Sequence, residues 1–144
     1  ICIVGDGPEI ETLRKLAEEL RCKATFVGKV DEDEALELIK SSGIYVLFST
    51  YEGLSFSLLQ AMNLGKTVVV SDAQGNLDVV TDGYDGLVVN RNSQNELTEA
   101  LRALNSNPEL RTSLALAARK TALDRFSLNQ TLLVTSAMLG VAHD

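Results

Sequence analysis

Glu52, Gly53 and the small polar residues after them form the arrangement in this chain best suited to chemistry. They lie in Ser49-Thr50-Tyr51-Glu52-Gly53-Leu54-Ser55-Phe56-Ser57-Leu58-Leu59-Gln60-Ala61-Met62. The stretch follows an apolar run, Ile44–Phe48, and reads as a loop opening a helix from about Ser55 to Leu64. Backbone N–H groups near Leu54, Ser55 and Phe56 are therefore expected to face a ligand cleft, and with Gly53 beside them they suit a phosphate. A carboxylate at Glu52 is out of place if phosphate is the whole ligand. It suits hydroxyl groups, such as those of a sugar, and the Gln60 amide two turns further on can also bond hydroxyls. The plainer alternative is that Glu52 favours the helix dipole and Gln60 is an exposed helix residue.

Three other motifs border the same chemistry. Gly5-Asp6-Gly7-Pro8 ends the apolar run Ile1–Val4, and Gly5 and Gly7 let backbone approach a ligand closely. The dinucleotide fingerprint G-x-G-x-x-G fails there because Ile10 holds the third glycine position, so a tight strand-to-helix turn is the competing reading. Gly65-Lys66-Thr67 mimics the end of a phosphate-binding loop, but Gln60 stands where its first glycine belongs and Val68-Val69-Val70 reads as a strand. Asp72-Ala73-Gln74-Gly75-Asn76 also leaves an apolar strand. Asp72 and Asp78 are placed to meet a hydroxyl or a positive group, or to be a solvated turn.

These loops need elements to hold them. Short Val/Ile-rich runs at Ile1–Val4, Lys23–Val27, Ile44–Phe48, Thr67–Ser71 and Leu87–Val89 alternate with helical patterns. Pro8 suits the first position of a helix with an Ile10, Leu13, Leu16, Ala17 and Leu20 face. Asp31 with Glu34, and Ser93 with Glu96, are spaced as capping pairs, and Asn107-Pro108 and Ser127 open further helices. A short helix is expected near Leu77–Thr81. The alternation predicts an α/β domain over 1–144: a doubly wound, mostly parallel, Rossmann-like sheet with helices on both faces and the C-terminal helices packed outside. Such folds bind ligands at the carboxyl ends of their strands.

Composition narrows the partners. The chain has 144 residues, 45% hydrophobic and 23% charged, with a net charge of −7 and no Trp. That disfavours nucleic acid or an anionic membrane as the main partner. Cys2 and Cys22 lie in apolar surroundings and read as buried free thiols. His143 has no metal partners in view, so no metal site is expected. With no leader or spanning run recognised, the setting expected by default is cytoplasmic. The chain begins inside a strand, which reads as a fragment.

Together these pieces resemble the C-terminal, donor-binding domain of retaining glycosyltransferases of the GT-B fold, the glycosyl transferases group 1 family. The matching segments are Ile3 to Pro8, Phe26-Val27-Gly28-Lys29-Val30, Ser49 to Met62, Gly65 to Ser71, Asp82 to Val88 and Arg125-Phe126-Ser127. The resemblance implies transfer of a sugar from a nucleoside diphosphate donor to an acceptor hydroxyl with retention, in polysaccharide or glycolipid synthesis, without cofactor or metal. Within the family's Glu-x7-Glu signature, Glu52 takes the first place and would contact the donor sugar as the catalytic-site carboxylate. Leu54, Ser55 and Phe56 would offer N–H groups to the diphosphate or sugar, and Gly28, Lys29 and Val30 would lie near the base. Gln60 replaces the second Glu, which holds the ribose hydroxyls. The resemblance also implies that a strand–helix unit carrying an Arg and a Lys, and an acceptor-binding N-terminal domain, belong upstream of Ile1. It leaves room for peripheral membrane association of the whole enzyme. The fragment alone is expected to be inactive. The rival readings are a nucleotide-sugar epimerase, which would need a cleft His, and a degenerate binding or scaffold module, which Gln60 favours.

Overall fold

The computed structural model describes residues 1–127. The helix expected after Ser127, and His143, lie outside the described residues. The chain divides into two compact units, the first Ile1–Leu38 and the second beginning at Ile39.

In the first unit β1 (Cys2–Val4) pairs in parallel with β2 (Thr25–Gly28), linked by α1 (Ile10–Glu19). This is the expected strand–helix–strand order, with two differences. Pro8 lies in the turn before α1, because the helix starts at Ile10. The strand is also not buried: Ile1, Val4, Leu13, Leu16 and Leu20 are exposed, and no residue of α1 is buried. Cys2 and Cys22 are exposed free thiols, which corrects the expectation of buried ones. Within these residues α1 links the two strands, and periodicity marks the element without fixing its cover.

The second unit contains the core. Its three strands are β3 (Ile44–Leu47), β4 (Thr67–Ser71) and β5 (Leu87–Val89). They form a parallel sheet in the order β3-β4-β5, with Val46 opposite Val69 and Val70 opposite Val88. The hydrogen-bonded ladders are thus β1-β2 within the first unit and β3-β4-β5 within the second, all parallel as expected.

Central β4 is buried along its whole length, which is why its sequence is continuous valine rather than alternating. Val68 and Val70 face Leu58 and Met62 of α3 (Phe56–Asn63) and Ala118 and Ala122 of α6 (Pro108–Arg125). Val69 clusters with Leu104 of α5 (Gln94–Ser106) and Leu114 of α6. Helices therefore cover both faces, with α6 serving each. Full burial of a side chain of this class contributes roughly 1.5–3 kcal/mol.

Caps set where the helices start. Asp31 Oδ1 accepts from the Glu34 N–H at 2.8 Å ahead of α2 (Glu32–Ser41). Asn107 Oδ1 accepts from Leu110 N–H at 3.0 Å, with Pro108 opening α6. Ser93 Oγ accepts from Glu96 N–H at 3.2 Å, but Glu96 returns its carboxylate to Asn90 N–H at 2.8 Å, so that box is not reciprocal. Lys66, the lysine of the phosphate-loop mimic, caps α2 instead: its Nζ donates to Lys40 O at 2.6 Å and Ser42 O at 3.0 Å. The short helix expected near Leu77–Thr81 lies earlier, as α4 (Gln74–Leu77). It starts there because Asn76 is pulled inward, its Nδ2 donating to Ser71 O at 3.0 Å.

Candidate functional site

Three loops leave the carboxyl ends of β3, β4 and β5, and hydrogen bonds tie them together. The first carries Glu52. Its carboxylate is half-buried and accepts from the Ser49 hydroxyl at 3.2 Å. Ser49 is itself held by Ser71 at the end of β4. The Ser49 N–H donates to Ser71 Oγ at 3.1 Å, and the Ser71 hydroxyl donates to Ser49 O at 2.6 Å.

The second loop supports the first from behind. Gly75 N–H donates to Glu52 O at 3.2 Å. The contact is so close that a Cβ on Gly75 would lie 1.6 Å from Gly53 O and 2.5 Å from Glu52 O. Only glycine allows this approach.

The third loop supplies Arg91. Its Nε donates to Asp72 Oδ1 at 2.8 Å, Nη1 to Thr50 O at 2.6 Å and Nη2 to Asp72 O at 2.6 Å. Its backbone N–H also donates to Asp72 Oδ1, at 3.0 Å. Asp72 thus meets a positive group rather than a hydroxyl, and Asp78 accepts from Gln74 Nε2 at 3.0 Å. The hydrogen bonds and charge of Arg91 hold the Asp72 carboxyl below its ordinary value. A carboxylate whose pKa is lower folded than unfolded stabilises the fold above its unfolded value of about 3.9, and that stability is lost as pH falls through the folded value. Unfolding midpoints measured from pH 6 to pH 2 are therefore expected to separate the wild type from Asp72→Asn at the upper end and to converge at the lower end. A gap independent of pH would show that the pair does not couple to folding.

Past Glu52 the chain turns outward. Leu54 and Phe56 are exposed, Phe56 by 77%, while Ser55 between them is buried. Ser55 is the N-cap of α3, its Oγ accepting from Leu58 N–H at 3.4 Å. A hydroxyl chain braces it, with Ser55 Oγ 3.1 Å from Ser57 Oγ and Ser57 Oγ 2.8 Å from the Tyr45 hydroxyl. Burial raises the Tyr45 phenol above its ordinary value and keeps it protonated. Among the described residues none accepts from the N–H groups of Leu54, Ser55 or Phe56. They are orphan donors at a helix start, where an anion is favoured. Gln60 is half-buried one turn after Phe56 in α3 rather than simply exposed.

The remaining expected site residues belong to the first unit. Gly5 N–H donates to Gly28 O at 2.7 Å, and both glycines have positive φ, +127° and +82°, so the two turns close on each other through conformations other residues resist. Gly7 and Lys29 are exposed and Val30 is half-buried. Arg91 carries no sequence signal: it sits in the polar turn Asn90-Arg91-Asn92, and its partners lie 19 and 41 residues away.

The chain is 42% identical over 114 residues to an uncharacterized glycosyltransferase of Methanocaldococcus jannaschii, covering 77% of this chain and 29% of that protein. It is 32% identical over 129 residues to the alpha-D-kanosaminyltransferase of Streptomyces kanamyceticus, covering 88% and 33%. It thus spans about a third of the length of these relatives. Among solved structures it superposes on Anabaena HepE in complex with UDP with a TM-score of 0.87 at 21% identity, covering 98% of this chain and 40% of that one. The C-terminal domain of the Francisella tularensis glycosyl transferase group 1 protein LpcC gives a TM-score of 0.76 at 20% identity, covering 85% and 66%. Both likenesses show a Rossmann-like domain of the GT-B fold. Residues 1–121 match the family model described as glycosyl transferases group 1, and the chain belongs to that family.

Proposed function

We propose that this chain is the donor-binding part of a cytoplasmic glycosyltransferase. The enzyme would move a sugar from a nucleoside diphosphate to an acceptor hydroxyl with retention, in polysaccharide or glycolipid synthesis, with no metal. The acceptor would be read by a further domain of the whole protein. One observation carries the reading: the loop after β3 holds the Glu52 carboxylate, bonded by the Ser49 hydroxyl, and then the orphan N–H groups of Leu54, Ser55 and Phe56 at the start of α3. The donors suit the negative leaving group and the carboxylate suits sugar hydroxyls. HepE, solved with UDP and with UDP-glucose, supports a donor of this class.

Gln60 tunes the same site in this proposal. A neutral amide at the ribose gives a bond about half as strong as a carboxylate would. Gln60→Glu is therefore expected to tighten nucleoside diphosphate binding about 5- to 10-fold. Calorimetry of the whole natural protein with UDP, GDP and ADP checks both points. Binding of one nucleotide, tightened by Gln60→Glu, supports the transferase. No binding by either form removes it and leaves the scaffold module, which the loss of the second signature carboxylate favours.

A further inference from the structure

We infer that Arg91 is a positioning residue that sets Glu52 for the donor sugar by locking the loop after β3 to the loop after β4. The inference rests on the donor-binding role proposed above. Each guanidinium nitrogen of Arg91 is used: Nε bonds the Asp72 carboxylate, Nη1 the Thr50 carbonyl and Nη2 the Asp72 carbonyl. A planar fork can meet all three acceptors at once, whereas a lysine ammonium on a flexible stem cannot hold that geometry.

The grip falls on one part of the site. Thr50 lies two residues before Glu52, and Asp72 begins the loop whose Gly75 N–H holds Glu52 O. The Glu52 backbone is thus held by Gly75 from the loop after β4 and, two residues back at Thr50, by Arg91, which also grips Asp72 at the start of that loop. The start of α3 does not depend on it. Ser55 is buried and held by its own cap and by the Ser57–Tyr45 hydroxyls. Loss of Arg91 should therefore loosen the carboxylate that meets the sugar and leave the N–H groups that meet the diphosphate in place. A small misplacement of such a group costs binding and rate out of proportion to the movement.

The test compares a nucleotide sugar with its own nucleoside diphosphate. In the whole natural protein, UDP-glucose, GDP-mannose and ADP-glucose are titrated beside UDP, GDP and ADP, and the pair bound by the wild type is followed in the variants. Arg91→Met is expected to raise the Kd for the nucleotide sugar about tenfold and that for the diphosphate less than about twofold. Asp72→Asn, which keeps the shape and removes the charge, is expected to show the same split at smaller size, and Arg91→Lys to recover only part of it. If Arg91→Met fails to fold, as seen by circular dichroism, these two milder variants provide the split. Equal losses for both ligands, or no loss, overturn the positioning role. Absence of binding by the wild type overturns the donor-site reading itself, before any variant is compared.

Discussion

Gly75→Ala is expected to destabilise the fold by about 1–3 kcal/mol or more and to weaken nucleotide-sugar binding with it. The added Cβ would sit 1.6 Å from Gly53 O and 2.5 Å from Glu52 O, and both obstacles are backbone. No rotamer can relieve such an overlap. Either the Glu52–Gly53 turn moves outward or α4 shifts. The second route is expensive, because Asn76 beside Gly75 is fully buried and bonded to Ser71. The turn should therefore yield, losing the bond from Gly75 N–H to Glu52 O and carrying the Glu52 carboxylate with it. Denaturant unfolding gives the stability change, and titration of the same variant with its nucleotide sugar gives the functional one. A Gly75→Ala protein with wild-type stability and affinity would mean that the two loops can separate freely. That outcome would remove the mechanical basis assigned to this contact.

The contact also marks the limit of what the sequence made legible. The strands Thr67–Ser71 and Leu87–Val89 and a helix start near Ser55 were readable because they follow from local rules: an apolar run, a turn cluster, small polar residues at a helix start. Glu52 stands out as a candidate for the same reason, lying three residues before Ser55, the N-cap of α3. Gly75 was not readable. Its neighbours Gln74 and Asn76 suggest a solvated loop, and nothing local says that another strand's loop passes within van der Waals contact. Arg91 was hidden in the same way, since its acceptors come from the ends of two other strands. The exposed Cys2 failed in the opposite direction. An apolar run predicts a strand, but burial depends on what other elements bring to its faces, and α1 buries none of its side chains. Local chemistry is thus encoded locally, whereas the bracing between loops and the cover over a strand arise only in the assembled chain.

Glu52→Ala is expected to lower kcat/KM for sugar transfer by the whole enzyme about 100-fold while leaving nucleoside diphosphate affinity within about threefold. The separation follows from what each group can bind. Among the described residues the Ser49 hydroxyl fills one of the roughly four acceptor positions of the Glu52 carboxylate, which leaves acceptor capacity for a ligand. Hydroxyl bonds to a charged acceptor contribute about 1.5–3 kcal/mol each, so one strong bond, or two at the low end of that range, accounts for a loss of this size. The diphosphate would instead meet the N–H groups of Leu54, Ser55 and Phe56, which are backbone and survive the substitution. Ser55 holds them through a cap that does not involve Glu52. Glu52→Gln keeps the shape and some acceptor capacity, so it should fall between the wild type and Glu52→Ala, by the same reasoning that makes Gln60 a weaker partner than a carboxylate. Steady-state kinetics with the cognate nucleotide sugar, set beside calorimetry with its diphosphate, measures both quantities. A Glu52→Ala enzyme that transfers sugar normally would take the carboxylate out of the donor site. One that loses diphosphate and sugar binding equally would assign Glu52 to the loop's structure, because only a group in contact with the sugar can discriminate between the two ligands.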